Sequence, residues 1–225
     1  VKDAYERYEY HVVYHSIYRF CVVEMSAFYL DIIKDRLYCS HPKSRERRSA
    51  QTVLFAILDQ LVRISSPVFA FTAEEVWREI PAFHGKEESV HLAEINSVRD
   101  GWLSEEDRGH WEKVAQYRET VLKLMEEARQ RKEIGSSLEA KVLFEYAPAE
   151  EATVRRFENL LPDLFIASQV QLKPGPETRF SVVPAGGRKC QRCWQIREDV
   201  GSRAGSENVC ARCAGVLDRL TVDQA

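Results

Sequence analysis

Four of the six cysteines in this 225-residue chain are paired by spacing. Cys190 and Cys193 form one C-x₂-C and Cys210 and Cys213 another, with sixteen residues between the pairs. Each C-x₂-C places two sulfurs on one tight turn, and the intervening loop is long enough to fold back. Together they complete the tetrahedral thiolate shell of a zinc ion. Four thiolates leave no open position for water, so the metal is structural and not catalytic. A disulfide pair or two solvent-facing turns are the other arrangements these residues could take. Cys21 and Cys39 are left as free thiols in a helical stretch, which suits a reducing, cytoplasmic setting.

The surroundings of the cysteines are basic. From Arg188 to Arg219 seven Lys/Arg stand against four acids, a net +3 that metal and thiolates bring near +1. Trp194 directly follows Cys193. An aromatic ring among arginines such as Arg192 and Arg197 suits a single-stranded RNA loop, with bases stacking on the ring and guanidinium groups on phosphates. The competing reading is that Trp194 packs on the metal knuckle and the arginines only solubilise it. A second basic cluster, Lys43, Arg45, Arg47 and Arg48, opens a helix, where cations oppose the helix dipole unless an anion is bound or acids pair with them. Between Glu74 and Glu119 twelve acids face six bases, so a polyanion would avoid the middle of the chain and meet the two basic patches.

No other constellation for chemistry appears. The six histidines, at 11, 15, 41, 84, 91 and 110, have no metal-ligand spacing with the cysteines, and His11/His15 reads as a helix face. There is no P-loop and no nucleophile-base arrangement. No apolar run is long enough to span a membrane.

The elements that position these residues follow from periodicity. Residues 2–39 read as one helix with a stripe of Tyr10, Val13, Ile17, Phe20, Cys21, Met25, Phe28 and Ile32. Glu24 and Asp31 lie near that stripe, with Arg19 and Arg36 as candidate partners. Pro42 ends the helix, and Ser44 caps a second one running to about Ser66. Thr72-Ala-Glu-Glu75 reads as a capping box for a short helix ended by Pro81. Residues 82–103 read as loop. Ser104 caps a long exit helix whose acids and bases match the helix dipole at its two ends, with Gly135 as its stop. Ala140–Tyr146 alternates as a strand, 148–161 reads as a helix, and Ile166, Ser168, Val170 and Leu172 as a second strand. A Pro-Gly-Pro turn leads to a third strand at Arg179–Val183, and Pro184–Gly187 reads as a flexible hinge before the cysteines. A helix already under way at Val1, with no initiator Met, suggests the C-terminal part of a longer protein.

FCVVEMSAFYLDIIKDRLY (20–38), RRSAQTVLFAILDQLVRISSPVFAFTAEEVW (47–77), IGSSLEAKV (134–142) and KCQRCW…CARC resemble, in that order, the C-terminal region of bacterial isoleucyl-tRNA synthetases. The first two segments are shared with the valine, leucine and methionine enzymes, and the last two narrow the resemblance to isoleucine. Glycosylases of the formamidopyrimidine type end in a similar finger. The resemblance implies a mainly α protein: a class I anticodon-binding helical bundle at about 1–134, a small α/β domain at about 135–185 and a zinc finger at 186–225. It implies that the chain grips the anticodon arm of isoleucine tRNA, while a separate N-terminal catalytic half, absent here with its HIGH-type and KMSKS-type motifs, uses ATP to activate isoleucine. Arg36, Lys43, Arg45, Arg47, Arg48, Arg192, Trp194 and Arg197 are the candidate tRNA contacts, chosen by charge and location, and Cys190, Cys193, Cys210 and Cys213 are the zinc ligands. A zinc-stapled structural adaptor and a DNA-glycosylase-like finger are the rival functions.

Overall fold

A computed structural model describes residues 1–96 and 104–222. The chain divides into two compact units, residues 1–31 with 43–100 and residues 32–42 with 101–225. Part of the expected loop at 82–103, residues 97–103, lies outside the described residues.

The first unit is helical. Its opening departs from the single helix that the apolar stripe predicts. α1 (Lys2–Glu6) stops where Tyr8 takes a left-handed backbone conformation (φ 59°), and α2 (Tyr10–Arg19) restarts at once. From Phe20 to Tyr29 the helix widens to π-type turns before tightening again as α3 (Leu30–Ile32). The apolar residues of this stretch favour no single face, so its sequence holds none in register, and none of its ten residues is buried. α5, as numbered in chain order after α4 (Lys34–Cys39) of the other unit, runs over Arg45–Ser65, and the Ser44 side chain accepts from Arg47 N as its cap.

α6 (Ala70–Glu79) begins earlier than the Thr72 capping box predicts, because Ala73 N bonds Phe69 O and puts Thr72 inside the first turn. Glu74 instead accepts from Ser89 Oγ (2.8 Å) and Val90 N (3.1 Å), holding the loop that follows. The core here centres on Trp77, wholly buried among Val62, Ala73, Ile80 and Val90. Its indole N–H donates to Glu87 O and the Arg63 guanidinium lies 4.8 Å over the ring. Arg63 is itself buried and is held by Asp59 (2.9 Å) and Glu94 O (3.0 Å), so the burial leaves no charge unpaired. Glu24 is exposed, which removes the need for a partner at that position.

In the second unit α7 (Glu105–Gln130), capped by Ser104 as expected, packs on a small sheet. Its stop is Lys132 in a left-handed conformation (φ 60°), three residues before the glycine predicted for that role. β1 (Ala140–Tyr146) is the central strand, parallel to β2 (Gln169–Pro174) on one side and antiparallel to β3 (Arg179–Pro184) on the other. The predicted alternation holds in β1, where Ala140, Val142, Phe144 and Tyr146 are all buried. Phe144 stacks on Phe180 at 4.3 Å and meets Tyr117 of α7 edge-on at 5.1 Å.

The crossover from β1 to β2 is two short helices, α8 (Glu151–Phe157) and α9 (Leu161–Phe165), where one was expected. Ile166, predicted as strand, turns left-handed (φ 56°) and ends α9, so β2 begins at Gln169. The expected hinge at 184–187 is pinned. Ala185 N donates to Glu139 O, and Gly186 O accepts from the Gln169 side chain. Gly187, at φ 116°, presses on the Arg197 backbone so closely that a Cβ would lie 2.5 Å from it.

Candidate metal centre and nucleic-acid interface

The finger begins with a two-stranded ribbon of β4 (Arg188–Lys189) and β5 (Ile196–Arg197). Cys190 and Cys193 lie on the turn between the strands, closed by Cys190 N to Gln195 O and Trp194 N to Cys190 O. Cys210 and Cys213 lie at the start of α10 (Ala211–Val222), whose first N–H donates to the Asp199 carboxylate. Ser168 Oγ accepts from Ile196 N at 2.7 Å and joins this ribbon to the sheet of the same unit.

All four sulfurs lie within 4.8 Å of one another and all four cysteines are buried. Cys193 and Cys210 Sγ are 4.0 Å apart. Bonds of about 2.3 Å in a tetrahedral zinc shell place sulfurs about 3.8 Å apart, so the cluster is already close to the size the ion requires. The backbone supports the charged state as well, with Cys210 N directed at Cys190 Sγ (3.3 Å). Without a cation, contact with the Cys213 thiol and burial push the Cys193 thiol up to about 12. A divalent ion removes that penalty by compensating the thiolates directly. The residues fit a structural zinc ion and offer it four ligands.

The eight candidate nucleic-acid contacts divide by unit. In the first, Lys43, Arg45 and Arg48 are exposed around the start of α5 and Arg47 is part-buried. In the second, Trp194 is 62% exposed, stands in a left-handed conformation (φ 64°) and carries Lys189 Nζ 5.9 Å over its ring. The knuckle therefore holds Trp194 outward and does not bury it. The candidate arginines of this unit are engaged within the protein. Arg36 donates twice to Asp163 Oδ2 (3.3 and 3.2 Å), leaving Asp163 with a carboxyl raised by burial and only partly restored by that cation. Arg192 Nη1 donates to Cys39 O at 2.6 Å, and Arg197 forks onto Gln195 Oε1 (3.0 and 2.7 Å). Two further contacts were not singled out by sequence. Lys189 over Trp194 and the Arg212 pair with Asp35 both join residues whose relation depends on folding, though each belongs to the basic run around the cysteines.

Residues 1–144 match the family model described as the anticodon-binding domain of tRNA ligase. The chain belongs to that family. Residues 187–215 match a second model, described as a zinc finger found in FPG and IleRS, which covers all four cysteines of the cluster. The chain of this anticodon-binding family member is similar to the isoleucine–tRNA ligase of Carboxydothermus hydrogenoformans, at 45% identity over 98% of this chain and 24% of the relative. It is similar to those of Desulforamulus reducens (43% identity, 96% of this chain, 25% of the relative) and Syntrophomonas wolfei (40%, 98% and 25%). It thus spans about a quarter of the length of the curated relatives it matches. No described helix is long and apolar enough to cross a membrane.

Proposed function

We propose that this chain is the tRNA-binding part of a cytoplasmic isoleucine–tRNA ligase, gripping the anticodon arm of isoleucine tRNA while ATP-dependent activation of isoleucine takes place in the remainder of the enzyme. The observation that carries the reading is the joint occurrence, in one chain, of the anticodon-binding family match and the four-cysteine finger. The work done here is positioning. Exposed Lys43, Arg45 and Arg48 hold phosphates, and Trp194 offers a ring to an unstacked base. Arg36, Arg192 and Arg197 are part-buried and tie the second unit together through Asp163, the Cys39 carbonyl and Gln195, while Arg47 is part-buried beside the exposed cations of the first.

The test is a titration of the chain with isoleucine tRNA, and with the same tRNA carrying a changed anticodon, across a salt series. Several-fold tighter binding of the native anticodon, with log K falling linearly in log salt, is the expected result. Equal, salt-insensitive binding of both would leave a zinc-stapled adaptor as the better description.

A further inference from the structure

Residues 32–42 belong to the same compact unit as the finger, although the chain on either side of them belongs to the other unit. The finger holds this excursion through two arginines. Arg212 pairs with both carboxylate oxygens of Asp35, with Nη2 2.7 Å from Oδ1. Arg192 Nη1 donates to Cys39 O at 2.6 Å. The Cys39 side chain shares one buried cluster with Val200 and all four candidate ligands, its thiol 3.6 Å from Arg192 O.

Both guanidinium groups are also tied to the ligand turns. Arg192 Nη1 is 3.7 Å from Cys213 Sγ, and Arg212, which grips Asp35, directly precedes Cys213 in the chain. A neutral thiol is a weak acceptor. Four thiolates around one divalent ion carry a net charge of −2, and a guanidinium beside them in a buried site is then attracted strongly. Metal binding therefore strengthens the hold on the very groups that grasp Asp35 and the Cys39 carbonyl.

We propose that Arg192 and Arg212 are positioning residues that couple metal binding at the four cysteines to the docking of α4. Arg192 bridges a ligand sulfur and the Cys39 carbonyl, and Arg212, beside ligand Cys213 in the chain, grips Asp35, so the loaded cluster holds the helix and the docked helix tightens the metal. The coupling is reciprocal by thermodynamic necessity. It concerns the metal and α4 alone and stands whether or not the chain binds tRNA.

The experiment uses the whole chain loaded with cobalt(II), whose thiolate charge-transfer band reports occupancy, in competition with a chelator. Asp35→Asn, a change more than 150 residues in sequence from the four ligand cysteines, weakens metal binding about tenfold, and Arg212→Gln does so by a similar factor. In the parent protein, chelation speeds alkylation of Cys39, located by mass spectrometry, at least tenfold while the β1 amides keep their protection from exchange. The second measurement needs no variant and decides the matter if a variant fails to fold. Metal affinity in Asp35→Asn within twofold of the parent would overturn the proposal. So would Cys39 alkylation that ignores the metal, or loss of β1 protection together with Cys39, which marks general unfolding.

Discussion

Replacing Trp194 separates an RNA-stacking role from a packing role, because its exposure limits what the fold can lose. About two-fifths of the side chain is covered, since 62% is exposed. A Trp side chain offers about 200 Å², so roughly 80 Å² of contact, at about 25 cal/mol per Å², sets an upper limit near 2 kcal/mol for the stability cost of Trp194→Ala. Trp77, with 0% exposure, provides the internal comparison, and truncating it costs about 3–5 kcal/mol. Glycine at 194 tests the backbone separately. Trp194 holds a left-handed conformation that glycine adopts freely, so Trp194→Gly is more stable than Trp194→Ala by about 1 kcal/mol. Stacking of one base is worth about 1–3 kcal/mol, so both variants lose about 5- to 150-fold in affinity for isoleucine tRNA. Urea unfolding and tRNA titration on the same metal-loaded preparations read the two effects. A stability loss like that of Trp77→Ala with unchanged RNA affinity would refute the argument.

Arg45→Ala and Arg48→Ala each lower the slope of log K against log salt by about 1 while leaving the preference for the native anticodon unchanged, because a phosphate contact carries no sequence information; a salt series on each variant checks this. Phe144→Ala removes a fully buried ring stacked on Phe180 and costs about 3–5 kcal/mol in denaturant unfolding of the second unit. Burial raises the Glu150 carboxyl, but hydrogen bonds from Tyr117 and Lys113 outweigh it and hold the group below the ordinary carboxylate range. A depressed folded-state value stabilises above the unfolded-state value and loses that stabilisation as pH falls through the folded one. Urea midpoints between neutral pH and about pH 3 therefore drop less steeply in Glu150→Gln than in the parent, and parallel curves would count against the network.

Local features were legible in the chain because local chemistry decides them. Ser44 and Ser104 cap helices where their spacing predicted, since a cap needs only a side-chain oxygen and an amide three residues on. The alternation of β1 survived because one face of that strand meets the core at every second residue. The four cysteines were found for the same reason, their chelating geometry being written in two short turns. Local signals also misled where a longer-range demand overruled them. Thr72 lost its capping role once Phe69 began the helix, and Ile166 left its strand to end α9.

Sequence alone determined the metal ligands, the central strand, the caps and the family resemblance, all of which depend on residues close together in the chain or on a pattern of them. Only the tertiary structure decided where the charges went. Asp163 took Arg36 and the Cys39 carbonyl took Arg192, two of the residues that read as candidate tRNA contacts, and Asp35 took Arg212, which did not. Nothing in composition predicts such pairings, because a guanidinium is equally suited to a phosphate and to a carboxylate or carbonyl. Which acceptor it meets depends on chain segments more than a hundred residues apart being brought together by the packing of the second unit.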